Sequence, residues 1–149
     1  MASHFPSARL QPLQQLADTR ESEAARRLLD AQRLKAEREQ RLAELARYRE
    51  EYERQPAAAT PQLLRNRQAF LERLREAERF QRQLVEQAQR GVDQGRAQWL
   101  LQQRETRTVA ELTACYVARE QREEARREQR HHDELATQNH WRTRRAEAD

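Results

Sequence analysis

Apolar residues recur at intervals of three and four along most of the chain, which is the spacing of one face of an α-helix. In the first third of the chain this stripe contains Ala24, Leu28, Ala31, Leu34, Leu42, Leu45, Tyr48 and Tyr52. In the remainder it contains Leu63, Phe70, Leu74, Ala77, Leu84, Ala88, Val92, Trp99, Val109, Leu112 and Tyr116, with the polar Gln81 at one position of the stripe. A stripe this narrow is typical of a coiled-coil seam rather than of a helix on a broad globular core.

Two prolines mark a break between the two stripes. Pro56 has no amide hydrogen and disfavours helix at the residue before it. Thr60 followed by Pro61 is typical of a helix N-terminus, and Pro12 precedes the first long helical run. The pattern therefore predicts two long helices, a short loop and a frayed C-terminal tail: helix one over about 13–54, the loop over about 55–60 and helix two over about 61–139.

A loop this short makes the two helices antiparallel neighbours. The predicted fold class is all-α, a single coiled-coil domain in which two long helices form an antiparallel coiled-coil hairpin and the second helix is longer than the first. Folding the chain about residue 58 places Leu45 opposite Leu71 and Leu42 opposite Leu74.

The far part of helix two extends beyond the predicted end of helix one, yet it carries apolar residues, namely Val109, Leu112, Tyr116 and Val117. Two explanations remain open. The N-terminal segment, with Phe5, Leu10 and Leu13, covers some of these side chains, or another protein covers them.

Composition narrows the function classes. The chain has 149 residues, of which 36% are charged and two are glycine. So few glycines exclude folds that need many tight turns, and a two-helix fold offers no enclosed cleft for catalysis. The net charge is only +4 and the opposite signs are interleaved, so we expect no nucleic-acid binding.

Few residues invite a chemical role. His131 and His132 are adjacent, so on a helix they point about 100° apart, whereas helical chelation uses residues four apart. Cys115 is alone, so it forms no internal disulfide, and a reducing compartment is expected. We predict no enzyme activity, no metal and no cofactor. Gly91 and Gly95, four residues apart, indicate either a close helix contact or a soft point in helix two.

Aromatic residues cluster on both sides of the break. Tyr48 and Tyr52 share one helical face just before it, and Phe70 and Leu74 follow just after it. Two interpretations stay open, a packed seam near the hairpin end or a docking patch, since tyrosine offers interfaces both apolar area and a hydroxyl group.

An ordered set of residues over nearly the whole chain resembles the flagellar export protein family FliJ. The set comprises Leu42, Leu45, Tyr48, Tyr52, Asn66, Phe70, Leu74, Ala77, Val92, Trp99, Glu120-Gln121-Arg122 and Asp133-Glu134-Leu135-Ala136. The resemblance implies a component of the bacterial flagellar type III export apparatus, needed for flagellum assembly, motility and chemotaxis. It also implies a stalk-like antiparallel coiled coil that is not an enzyme.

The resemblance further implies three partners: the hexameric export ATPase, whose centre receives the stalk, the membrane export gate protein, and export chaperones. A monomer is expected when the protein is alone. The implied location is cytoplasmic, peripherally associated with the cytoplasmic side of the cell membrane.

The family's export gate patch maps onto Arg41, Leu45, Tyr48, Tyr52, Phe70, Leu74, Ala77 and Gln81. Arg41 and Gln81 depart from the glutamine and histidine that the family pattern leads us to expect at these positions. For the ATPase end we single out Val109, Leu112, Tyr116, Arg119, Arg122 and Arg126.

Two other functions remain open: the equivalent central stalk of a virulence-type type III secretion injectisome, and a parallel homodimeric coiled-coil scaffold. Pro56 and Pro61 argue against the scaffold, because they interrupt a continuous helix.

Overall fold

The computed structural model describes residues 6–56 and 59–149. Two helices account for nearly all of them, α1 (Pro6–Arg54) and α2 (Pro61–Ala148), and the described residues contain no strand. The predicted all-α hairpin with a longer second helix is confirmed. A parallel scaffold would need one continuous helix, whereas this chain forms two helices that pair with each other.

Both outer helix ends differ from the prediction. α1 begins at Pro6 and passes through Pro12, and α2 continues to Ala148 instead of fraying near residue 139. Pro12 lies in the second turn of α1, where the missing amide removes a single intrahelical hydrogen bond. Phe5, one of the predicted covering residues, lies outside the described residues.

Both inner helix ends are capped by side chains. Thr60 caps α2, since its Oγ1 accepts a hydrogen bond from the Leu63 amide at 3.2 Å. At the end of α1, Arg67 supplies the cap from the other helix. Its Nη2 donates to the carbonyl oxygens of Glu53 at 2.8 Å and Tyr52 at 3.4 Å. A cation is favourable there, because the carbonyls at a helix C-terminus are partly negative.

The chain divides into two compact units, one made of Met1–Asp18 with Arg104–Asp149 and the other of Thr19–Gln103. The single-domain assignment stays a prediction. We call the second unit, Thr19–Gln103, the hairpin unit and the first the terminal unit.

In the hairpin unit, the less exposed positions of α1 repeat at intervals of three and four, as a coiled-coil seam requires. They are Glu21, Ala24, Leu28, Ala31, Lys35, Arg38, Leu42, Leu45, Arg49 and Tyr52, with Ala46 beside Leu45. The buried residues facing them from α2 are Leu74, Glu78, Gln81, Ala88, Val92 and Gly95. The seam therefore consists of small, apolar and polar side chains and contains no large core residue that is fully buried.

The predicted register is wrong by about two helical turns. Folding the chain about residue 58 would set Leu28 opposite Ala88, but Leu28 lies against Gly95. The reason is that α2 begins before it comes alongside α1. Arg67, well inside α2, is the residue that reaches the last carbonyls of α1.

The two glycines of α2 have different surroundings. A Cβ atom built on Gly95 would lie 3.4 Å from the Cα atom of Leu28, whereas one built on Gly91 meets nothing within 4 Å. The close-contact interpretation is therefore confirmed for Gly95 and does not apply to Gly91.

In the terminal unit, α1 packs against α2 through polar contacts and through one buried alanine. Ala17 is buried, and its carbonyl oxygen accepts a hydrogen bond from Thr106 Oγ1 at 3.2 Å. Leu10 is half-buried, whereas Leu13 is exposed. The N-terminal part of α1 therefore lies against α2 in this unit, as one of the two open explanations predicts, while Leu13 stays exposed.

The last part of α2 is exposed throughout, from residue 121 to residue 148. Neither helix, over the described residues, contains a stretch that is both long and apolar enough to cross a membrane.

Candidate partner-binding site

An aromatic cluster forms in the hairpin unit where α2 first meets α1. Tyr48 and Tyr52 lie one turn apart on α1, and Phe70 reaches them from α2. The Phe70 ring centroid is 4.7 Å from that of Tyr52 and 6.2 Å from that of Tyr48. The Tyr48–Phe70 pair is edge-to-face, a favourable arrangement for aromatic rings.

The cluster is partly seam and partly surface. Tyr52 and Phe70 are half-buried between the helices, but Tyr48 keeps 51% of its surface exposed. The packing interpretation is confirmed for the first two rings. Tyr48 therefore combines a fixed ring with an open face, and a partner could use that face without disturbing the helix pair.

The other residues of the predicted gate patch differ in how far they are exposed to solvent. Leu74 and Gln81 are buried, and Gln81 Nε2 donates a 3.0 Å hydrogen bond to the Arg38 carbonyl oxygen. Leu45 and Ala77 are half-buried, and Arg41 is exposed. The hairpin brings all eight predicted patch residues into one unit, but Leu74 and Gln81 serve the seam rather than the surface.

A charged network in the same seam escaped the sequence interpretation. Glu78 is only 3% exposed, and its Oε2 accepts a 2.7 Å hydrogen bond from Arg49 Nε. Arg49 Nη1 also binds Glu53 Oε2 at 3.2 Å, and Arg75 Nη2 binds the other oxygen of Glu53 at 3.3 Å. The hydrogen bonds from Arg49 to Glu78 and then to Glu53 raise the pKa of Arg49.

A sequence signal for this network existed. Arg49 follows Leu45 by four residues and precedes Tyr52 by three, so it continues the α1 stripe. Glu78 adjoins Ala77 on the α2 stripe. Sequence spacing alone does not predict that these two charged residues are buried, because single charges are rarely buried unless they are paired.

The residues predicted for the ATPase end lie in the terminal unit. Val109 and Tyr116 are half-buried, and Leu112 is exposed. Arg119 stacks over the Tyr116 ring, with its guanidinium carbon 5.5 Å from the ring centroid. Arg122 and Arg126 are exposed beside acidic residues of the same stretch, so the α2 surface here carries both signs of charge and is only partly apolar.

The described residues contain no group of three or more His, Cys, Asp or Glu side chains arranged to hold a metal ion. The rings of His131 and His132 are 6.4 Å apart, and Cys115 is exposed.

These features define an antiparallel two-helix coiled-coil protein with a partly exposed aromatic cluster. The chain belongs to the FliJ family: the family model described as "Flagellar FliJ protein" matches residues 6–145. No curated protein and no solved structure matches it. The resemblance drawn from the sequence is thereby confirmed. Membership implies a function connected with flagellar type III export, in a family of structural and escort components rather than known enzymes.

Proposed function

We propose that this protein is the stalk of the flagellar export apparatus, that it binds the centre of the hexameric export ATPase, and that it couples the ATPase to the membrane export gate and escorts export chaperones. The observation that carries the proposal is the family match over residues 6–145, together with a hairpin whose second helix is much the longer. The proposed location is cytoplasmic and peripheral at the membrane. The isolated protein is proposed to be a monomer, since α1 pairs with α2.

The gate contact is proposed to involve Tyr48 and Arg41, the two exposed members of the predicted patch, with support from the edges of Leu45, Tyr52 and Phe70. An exposed tyrosine held against another ring offers contact area at low conformational cost, because its side chain is already ordered. Leu74 and Gln81 would affect this contact only indirectly, through the seam.

The ATPase contact is proposed to involve the terminal unit. Leu112 and Val117 are exposed apolar residues there, and Arg119, Arg122 and Arg126 follow on the same helix. A long, fully exposed helix end is available to a surrounding protein ring. Because the exposed charges dominate this surface, we expect the association to weaken as the salt concentration rises.

The test uses the full-length protein and the purified export ATPase of the same organism. Co-purification and an increased ATPase rate are expected, and both should decline when Arg119, Arg122 and Arg126 are replaced by serine. Replacing three exposed arginines of the hairpin unit, Arg26, Arg33 and Arg82, provides a control of equal charge change. Neither binding nor a rate change with the unaltered protein would refute the proposal.

A further inference from the structure

A half-open groove of about 520 Å³ lies beside the inner ends of the two helices. Its apolar lining comes from Tyr52 of α1, from Pro56 just after it, and from Leu63 and Phe70 of α2. All of these residues belong to the hairpin unit. Pro56 and Leu63 lie outside the predicted gate patch, although the groove and the patch share Tyr52 and Phe70.

The groove exists because α2 begins before it meets α1. The first turns of α2 have no helix beside them, so Leu63 keeps 51% of its surface exposed. The ring pair of Tyr52 and Phe70 forms a rigid wall at the point where the helices come together. Apolar side chains held apart in this way leave a concave surface that a partner's side chain can fill.

The charged side chains that line the groove are all positive. Its charged lining residues are Arg67 and Arg73, and no carboxylate lines it. Arg67 is fixed by its hydrogen bonds to the α1 carbonyls and lies 6.0 Å from the centroid of the Tyr52 ring. Its positive charge therefore stays beside the groove.

Arg73 is the available cation. It is exposed and forms no ion pair with the residues that the structure describes. Two arginines nearby on α2 are engaged instead, since Arg75 binds Glu53 and Glu72, and Arg79 binds Glu72. An arginine presents a planar set of donors that matches a carboxylate, so a free Arg73 beside an apolar groove favours an anionic peptide.

We propose that this groove binds an acidic segment of a partner protein, with one large apolar side chain between Leu63 and the Tyr52–Phe70 wall and a neighbouring carboxylate on Arg73. The proposal goes beyond the proposed export role, because it rests on Leu63 and Arg73, which line the groove but lie outside the predicted gate patch. A second copy of this chain is a poor occupant through the same surface, because pairing two grooves would bring Arg67 and Arg73 close to their counterparts.

The test is a titration of the ¹⁵N-labelled full-length protein followed by amide chemical shifts. The probe is the peptide acetyl-EDLFDE-amide. The comparison peptides are acetyl-QNLFNQ-amide, which lacks the charge, and acetyl-EDAADE-amide, which lacks the apolar anchor. We expect saturable shifts centred on Leu63, Asn66 and Arg73, and at least about tenfold weaker binding of both comparison peptides.

Two variants locate the binding. Arg73→Gln and Leu63→Gln should each weaken the probe about tenfold. Arg82→Gln removes an exposed α2 arginine that does not line the groove, so it should leave the affinity unchanged. Helicity by circular dichroism should be the same for all three variants, since all three residues are exposed.

Three results would overturn the proposal. One is a set of shifts spread over arginines of both helices, and another is equal weakening by Arg73→Gln and Arg82→Gln; either means unspecific charge attraction. The third is shifts of the same amides on concentrating the protein without peptide, which would assign the groove to a second copy.

Discussion

Arg49 of α1 and Glu78 of α2 form an ion pair inside the helix seam, with 2.7 Å between Nε and Oε2. Glu78 is almost fully removed from solvent, and its Oε1 has no hydrogen-bond partner among the described residues. A buried carboxylate tolerates this position only because a charged partner faces it. The pair therefore helps to fix which part of α1 meets which part of α2.

Removing one member of the pair should destabilise the hairpin. In Glu78→Ala, Arg49 loses the partner that faces it across the seam and a small cavity opens, so we expect thermal unfolding at a clearly lower temperature. The double variant Arg49→Met with Glu78→Leu should recover much of the loss, because an apolar pair can replace a buried ion pair. Glu76→Ala, at an exposed α2 position, is the control. Equal melting temperatures for Glu78→Ala and Glu76→Ala would contradict the assigned role.

The two glycines of α2 should respond differently to substitution. Gly91→Ala should raise the free energy of unfolding by about 1 kcal/mol, since alanine favours helix and nothing lies within 4 Å of the new methyl group. Gly95→Ala should raise the free energy of unfolding by less, because its methyl group would touch the Leu28 backbone at 3.4 Å. Urea unfolding measures both.

Larger side chains sharpen this comparison. Gly95→Leu should be strongly destabilising, because the Leu28 backbone closes the space that the side chain would need. Gly91→Leu should be tolerated. If both leucine variants unfold alike, the helices do not approach each other closely at Gly95.

Glu120 caps the first turn of α1 from the other helix. Its two carboxylate oxygens accept hydrogen bonds from the Ser7 amide at 2.9 Å and from Ser7 Oγ at 2.6 Å. The first turn of α1 has no acidic residue of its own, so this carboxylate supplies the negative charge that a helix N-terminus favours.

Glu120→Ala should therefore speed amide hydrogen exchange in the first turns of α1, as measured by mass spectrometry. The melting temperature should change little, because the contact is local. Glu124→Ala lies one turn further along α2 at an exposed position and should leave the exchange unchanged. Unaltered exchange in Glu120→Ala would show that the cap does not hold this segment.

Within the aromatic cluster, the loss of stability on substitution should be larger for the more buried ring. Phe70→Ala should lower the free energy of unfolding by about 2 kcal/mol, because the half-buried ring packs on both tyrosines. Tyr48→Ala should cost less than about 1 kcal/mol, since half of Tyr48 already faces solvent. Urea unfolding of both variants checks the order, and a reversed order would place Tyr48 in the seam.

Local features of the fold and the antiparallel hairpin could be predicted from the sequence, whereas the register between the two helices could not. Thr60 and Pro61 predict the start of α2 because a cap depends on neighbouring residues. The prediction of the register was wrong because the register depends on where α2 first touches α1. Arg67 sets that point through its hydrogen bonds to the last carbonyls of α1. Spacing alone likewise could not separate exposed Tyr48 from buried Leu74, since each residue belongs to the apolar stripe of its own helix.

The buried network and the groove show the same limit. Arg49 and Glu78 are unremarkable as single residues in a chain so rich in charge, and only their pairing makes their burial possible. The groove arises because α2 begins before it meets α1, and the point where the helices meet cannot be predicted from periodicity.

The binding affinity for the purified cytoplasmic part of the export gate protein tests the proposed role most directly. It should be measured by isothermal titration with the unaltered protein, Tyr48→Ala and the control Leu29→Ala, which removes an exposed apolar side chain elsewhere on α1. We predict binding that Tyr48→Ala weakens at least about tenfold while helicity and the Leu29→Ala affinity stay unchanged. No binding by the unaltered protein, or equal affinities for all three, would contradict the account.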